Sequence, residues 1–365
     1  MPPHFAKSAN SGSRFVTLDG LRGLAALAVA LFHFSPKIMP GGYLAVDFFF
    51  AISGFVLTKT FAPRFAAGMD LSTFARLRII RLYPLYLVGH VVSFARVVQR
   101  LILRPGDPLS ATQYGIAFVA GLFMLPAPLQ FHMKIFPINT PSWSLFFELL
   151  VNIVMAKYLL RFSKLALAGL IVASGVGLVT CALWQAAQAG WALAEPVMAG
   201  GSDWPSLHIG ALRTLFSFTL GMWLARAQPD TPRPSTHIAL ACGAVLVGLM
   251  MVPIATTWRA GFDLAVVVVL FPVLLVLSSR IEPPDALRKP AIFLGEISFA
   301  AYALNESLAA TFQMAMRKLD ISPWALMPAY VATIIVLSHF CAAMIDGPMR
   351  ARMSKWLIQR RPATA

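Results

Sequence analysis

Four sets of polar residues interrupt apolar stretches of this chain, and they carry the types and spacings that chemistry needs. Arg22 and His33 lie eleven residues apart in the first stretch, close to three helical turns. Both therefore fall on one helix face, about 16 Å apart along its axis. Ionisable groups within a membrane helix are costly and are as a rule functional or paired. The two either address one internal channel from opposite halves of a membrane or each pair with a polar neighbour. Asp47 begins the second stretch, across a short hairpin from His33. A carboxylate beside an imidazole fixes its tautomer and raises its basicity, as a general base requires. A helix-end Asp favoured by its own N-terminal dipole is the other reading. Arg76, Arg78 and Arg81 lie within six residues, with Arg78 and Arg81 sharing a face at i, i+3. That is a fork for phosphate groups, or a basic cluster resting on anionic lipid. Glu148 lies about two turns into an apolar segment that opens Ser142-Trp143-Ser144, with no cation at helical spacing before Lys157. Such a carboxylate is either functional or held in a salt bridge.

Histidine type alone carries no argument, because His90 and His339 also fall in apolar stretches and His132, His208 and His237 in loops or at ends. These read as structural or interfacial. Cys181, Cys242 and Cys341 each lie in an apolar run without CxxC spacing or a neighbouring His, so they read as small hydrophobes, and no metal site is expected. No phosphate loop, no H-E-x-x-H and no G-x-S-x-G elbow occurs.

The elements that must position these groups follow from composition. Apolar residues are 58% of the 365 and charged ones only 12%, against about 25% charged in a soluble chain. Stretches long enough to cross a ~30 Å hydrocarbon layer recur from end to end. The chain reads as an all-α polytopic membrane protein, a single integral membrane domain over 1–365 embedded across about 16–345. That excludes a cytosolic enzyme, a disordered chain and a disulfide-stapled domain. The net charge of +15 falls mainly between apolar segments, so lipid headgroups and the positive-inside rule account for it, not nucleic acid. Ten spans are expected, near 16–35, 43–61, 82–102, 142–160, 165–184, 210–226, 237–254, 262–279, 292–314 and 324–345. A shorter stretch, 114–125, reads as re-entrant or interfacial. With the N-terminus inside, cytoplasmic segments hold 20 of the 30 Lys and Arg and outer ones 7; making 114–125 a full crossing reverses every later loop and destroys that bias. Both termini are thus expected to be short cytoplasmic tails, without a cleavable signal peptide. The segment 185–209, with Trp191, Trp204 and Gly200-Gly201, is expected to form an outer lid or hairpin.

Taken in order, the motifs resemble the membrane acyltransferase-3 family, which transfers acyl groups to extracytoplasmic glycans. The resemblance rests on Leu18-Asp19-Gly20-Leu21-Arg22-Gly23 with Arg22-x10-His33, on Val46-Asp47-Phe48-Phe49-Phe50 running to Ser53-Gly54-Phe55, on Arg78-x2-Arg81 with Pro84, and on Trp143-Ser144-Leu145-x2-Glu148. A further match is Gly295-Glu296-Ile297-Ser298-Phe299. After it the family commonly ends Tyr-Leu-x-His, whereas this chain reads Tyr302-Ala303-Leu304-Asn305. Asn305 keeps hydrogen bonding without proton transfer, which bears on acceptor choice more than on activity.

The resemblance implies an acyl-CoA donor, most often acetyl-CoA, taken from the cytoplasm as a substrate and not as a resident cofactor. Arg22, Arg78 and Arg81 would hold it. His33 would be the general base for the acceptor hydroxyl, oriented by Glu148 or Asp47. Asp19, Ser53, Trp143, Ser144 and Asn305 would line or shape the site. The implied partners are an extracytoplasmic glycan or lipid-linked sugar and membrane lipids, with a homodimer left open, and the implied location is a bacterial inner membrane. A proton-coupled secondary transporter, using Asp47, Glu148 and His33 as a relay, would be expected to show inverted halves. A glycan flippase would tolerate loss of His33.

Overall fold

A computed structural model of the chain describes residues 15–103, 109–128, 134–188, 197–227 and 233–358. These residues are helical almost throughout; their one sheet is a parallel pair of two-residue strands, β1 (Arg233–Pro234) on β2 (Ile281–Glu282). His132 and Trp191 fall outside the described residues.

The first helix, α1 (Val16–Phe34), runs through a Leu- and Ala-rich sequence that loses little on becoming helical. Its first N–H groups meet a distant anion, since Val16 N–H donates to the Glu282 carboxylate at 3.1 Å. It stops at Ser35, extended at φ −159° and ψ 111°, as the following Pro36 requires. Then come α2 (Ala45–Ala66), α3 (Leu71–Leu103), α4 (Ala111–Leu122), α5 (Ser142–Lys157), α6 (Lys164–Gln188), α7 (Leu207–Ala225) and α8 (Thr236–Met251). A π-turn joins α9 (Thr256–Ala265) to α10 (Phe271–Ser279); α11 (Asp285–Leu319) follows. A second π-turn, Ala342–Asp346, joins α12 (Pro323–Cys341) to α13 (Gly347–Leu357).

Two close helix pairs set the frame. A Cβ on Gly54 of α2 would lie 2.1 Å from the Phe218 carbonyl, and one on Gly221 of α7 would lie 2.1 Å from that of Ala51. Between α1 and α11 a Cβ on Gly23 would lie 2.4 Å from the Leu294 Cβ. In lipid, where no hydrophobic force drives helices together, such backbone contact is what holds them.

Six stretches are long and apolar enough to cross a membrane: Val16–Phe34, Gly42–Ala66, Leu71–Ile102, Lys164–Gln185, Thr256–Ser279 and Pro323–Leu357. The chain is a helical membrane protein. The four further spans expected near 142–160, 210–226, 237–254 and 292–314 are helices as well, but α5 and α8 are shorter, and α7 and α11 more polar, than those six.

The stretch read as re-entrant forms the 12-residue α4, about 18 Å long. A helix ending inside the protein leaves carbonyls to satisfy, and α3 supplies the donors. Tyr83 donates to the Leu122 carbonyl at 2.9 Å, Tyr86 to that of Gly121 at 2.5 Å, and His90 Nε2 lies 3.0 Å from that of Phe118. His90 stacks between Tyr86 and Phe118 and serves this end of α4. The described part of the expected outer hairpin knits onto residues 134–139: Ile135 N–H donates to the Ser202 carbonyl at 3.1 Å, and Lys134 pairs with Asp203 at 3.7 Å.

Candidate active site

Arg22, Ser53, Arg78, Arg81, Ser144 and Glu148, contributed by four different helices, line one cavity of about 190 Å³ together with Ser298 and Tyr302 of α11. Phenylalanines 49, 50 and 299 make much of the apolar wall. Glu148 Oε1 accepts from Ser53 Oγ at 3.0 Å and from Arg78 Nη2 at 3.2 Å. Arg78 Nε is buried and lacks a hydrogen-bond partner among the described residues. An orphaned buried donor is costly, so this cavity wall is built for an acceptor atom that a ligand brings. One turn before Glu148, Ser144 Oγ lies 2.6 Å from Tyr302 Oη, and both donate to the Pro141 carbonyl at 3.1 Å.

Arg22 is set by its own helix and by α11. It pairs with Asp19 at 3.1 Å, donates from Nε to Ser298 Oγ at 3.1 Å, and donates from Nη2 to the Gly295 carbonyl at 3.0 Å. A Cβ on Gly295 would lie 2.7 Å from the Asp19 Cβ, so glycine at this position lets α11 come close enough to hold Arg22.

A more polar cavity of about 310 Å³ shares Arg22 and Arg81 with the first and adds Glu296, His339, Asp346 and Arg350. The π-turn after α12 carries Asp346, which pairs with Arg350 at 2.5 Å and lies 4.0 Å from Arg81. Arg350 Nη2 donates to the Arg81 carbonyl at 3.1 Å, while its Nε has no partner among the described residues. The two cavities adjoin at two shared arginines: on one side a polar, arginine-rich mouth, on the other an apolar chamber containing a carboxylate, three serines and a tyrosine.

The structure brings neither carboxylate to His33. Asp47 is buried on the face of α2 that packs on α7, and Arg213 takes its carboxylate, with Nη2–Oδ2 2.6 Å and Nε–Oδ1 3.2 Å. Arg213 also donates to the Gly200 carbonyl at 2.7 Å and lies 5.2 Å from the Trp143 ring centroid. The hairpin expected to join Asp47 to His33 instead turns them to different neighbours, and Trp143 walls this ion pair, not the cavity. Glu148, expected to orient the imidazole, holds Arg78. His33 lies half-buried near the end of α1, and its side chain makes no hydrogen bond or ion pair among the described residues. Its carbonyl accepts from Gln313 Nε2 at 2.7 Å. Asn305 is buried and donates from Nδ2 to the Tyr302 carbonyl at 2.7 Å, below the tyrosine that lines the chamber. His208, His237 and His339 are exposed.

A sequence profile for an acyltransferase domain matches residues 15–343, which takes in every residue of the chamber. The chain belongs to the acyltransferase-3 family. Among its relatives, "Protein 2 in picA locus" of Rhizobium radiobacter is 36% identical over 164 residues, 41% of this chain and 85% of that one. "O-acetyltransferase OatA" of Staphylococcus aureus (strain NCTC 8325 / PS 47) is 32% identical over 103 residues, 27% of this chain and 17% of its own. A Staphylococcus aureus (strain COL) protein provisionally named an O-acetyltransferase is 23% identical over 315 residues, 78% of this chain and 49% of its own. The chain thus spans half or less of the two named O-acetyltransferases. No solved structure matches it.

For an acyltransferase-3 member, the informative residues that sequence reasoning missed are Arg350, Ser298, Tyr302 and Arg213. Arg350 sits in a basic tail where each cation looks topogenic; only the π-turn brings it to Arg81. Ser298 and Tyr302 stand in or just after the last motif, but nothing in the sequence shows that they meet Arg22 and Ser144. Arg213 is a lone cation in a polar span, which by itself signals a buried partner.

Proposed function

We propose that this membrane acyltransferase is an O-acyltransferase that takes an acetyl group from cytoplasmic acetyl-CoA and places it on a hydroxyl of an extracytoplasmic polysaccharide or glycolipid. The observation that carries the reading is that Arg22 and Arg81 line both the cationic mouth and the apolar chamber. CoA pairs a multiply charged phosphate end with a long, largely uncharged arm ending in the thioester. Phosphates fit Arg81 and Arg350, where guanidinium forks make charge-assisted bonds. The arm fits the chamber, where Arg78 Nε offers the unmet donor. In the transfer, the acceptor oxygen forms a bond to the thioester carbon and the carbon–sulfur bond breaks. The hydroxyl proton passes to His33 as base, and the departing CoA sulfur ends as the thiol.

The donor part is tested by acetyl-CoA affinity. Arg78→Ala and Arg81→Ala are each expected to weaken it about 10–100-fold, because a charged hydrogen bond contributes roughly 1.5–3 kcal/mol. Since Glu148 holds Arg78, Glu148→Gln should act mainly on the KM for acetyl-CoA, with kcat less affected. Wild-type CoA affinity in both arginine variants would remove the donor assignment. CoA-thiol release by purified protein separates transfer from transport or flipping.

The same reading has ten crossings in a bacterial cell membrane with both termini cytoplasmic. The 20-to-7 split of cations supports it. Single cysteines placed in a cysteine-free background check it: exposed positions 64 and 157 should label only from inside and exposed position 37 only from outside. Labelling of 157 from outside would overturn the topology.

A further inference from the structure

A third cavity, of about 350 Å³, lies between α3 and α11 at the ends opposite the CoA mouth, lined by Arg96, Arg100, Glu306, Ser307 and Arg317 among others. Both helices run in the same direction through the site. Gly89 packs on Ala303, Ser93 Oγ lies 2.6 Å from Ser307 Oγ, and Arg96 reaches Thr311. Arg96 is fifteen residues beyond Arg81, about 22 Å along α3. Resting on the proposed acyl transfer, this end is the acceptor side.

Three arginines against one carboxylate in one outer cavity run against the rule that keeps outer segments poor in cations. Two other outer cations have carboxylate partners: Arg259 pairs with Asp263 at 2.9 Å and Lys134 with Asp203 at 3.7 Å. In this cavity, by contrast, Arg96 donates to two neutral oxygens, the Ser307 carbonyl and Thr311 Oγ1, each at 2.5 Å. Arg100 donates to Tyr114 Oη at 2.5 Å. Arg317 is exposed and has no hydrogen bond or ion pair among the described residues. Glu306 accepts from Thr140 N–H at 2.7 Å, which ties it to the loop; Arg96 is near enough to feel its charge but forms no ion pair with it among the described residues. Glu306 sits one helical turn beyond Tyr302, which lines the chamber. The lining of this cavity thus starts one helical turn from that of the chamber, and Arg96 and Arg317 make no ion pair among the described residues, which leaves their charge for an incoming anion.

We propose that this cavity is the acceptor subsite and that the acceptor is an anionic glycan, its carboxylate or phosphate held by Arg96 and Arg317 while a neighbouring hydroxyl faces the Tyr302 end. Guanidinium–oxyanion pairing supplies both charge and direction. The site then chooses its sugar by a charge beside the acylated position.

The test uses membranes from the native host, radiolabelled acetyl-CoA and the endogenous acceptor, comparing wild type with Arg96→Gln and Arg317→Gln. Labelled product from wild type is expected to bind an anion exchanger. Both variants should need about 10-fold more acceptor for half-maximal transfer, with acetyl-CoA affinity as in wild type. Arg317→Gln removes no intraprotein bond seen among the described residues, so it reads the site even if Arg96→Gln misfolds. A neutral labelled glycan, or wild-type acceptor dependence in Arg317→Gln, overturns the proposal. If the loss in the variants disappears once the proteins are moved to neutral phosphatidylcholine nanodiscs with extracted acceptor, the cavity reads lipid headgroups and the proposal falls. CoA release without any labelled glycan overturns acyl transfer itself, an outcome distinct from a neutral product.

Discussion

Replacing His33 with Ala is expected to lower glycan acylation by about 100-fold or more, the usual scale for a positioned general base, while leaving an inserted, folded protein. The structural half of that expectation is local. The imidazole has no hydrogen bond or ion pair to lose among the described residues, and the contact that fixes this end of α1 is the His33 carbonyl accepting from Gln313. The chemical half rests on position. His33 follows Arg22 by three turns on one helix face, so the proposed base lies toward the end proposed for the acceptor, on a helix whose Arg22 lines the chamber. Initial transfer rates at equal protein levels check it, with acetyl-CoA affinity as the control. A variant that binds acetyl-CoA normally and transfers at a near wild-type rate would show that His33 is not the base, and exposed His208 would be tested next.

Much of the site was legible because membrane helices punish stray polarity: Arg22, Arg78, Arg81 and Glu148 stand out against apolar sequence, and the cavity collects all four. Pairing was not legible. Spacing on one helix says which residues share a face but not which helix faces them. The contact between Asp47 and Arg213 depends on Gly54 and Gly221 letting α2 and α7 touch, over a separation of 166 residues. Likewise the Glu148–Arg78 pair joins α5 to α3. Hydropathy located helices well but ranked α7 and α11 as ordinary spans. These are more polar because they carry Arg213, which meets Asp47 inside the bundle, and Glu306, which accepts from the loop at Thr140.

Arg213→Ala is expected to destabilise the protein by about 3–5 kcal/mol, because it strands the Asp47 carboxylate in a dry interior. The two side chains are 1% and 0% exposed, and the pair is close at 2.6 Å. Detergent-solubilised protein should show this as a lowered thermal midpoint and lowered yield. The same loss is expected from Asp47→Leu, which strands the guanidinium. Joining the two as Asp47→Leu with Arg213→Met removes both charges together, and replacement of a buried pair by apolar groups of similar size is often neutral or stabilising. The double variant should therefore recover most of the lost stability, a coupling that a double-mutant cycle measures directly. It also separates two roles for Asp47. If the carboxylate only ties α2 to α7, the double variant regains acyl transfer along with its stability. A folded double variant that binds acetyl-CoA but transfers nothing would put Asp47 in the chemistry, in spite of its distance from any hydrogen bond to His33. Because Arg213 also holds the Gly200 carbonyl and covers Trp143, the residual deficit of the double variant reports what the guanidinium contributes to the loop at Gly200 beyond its ion pair.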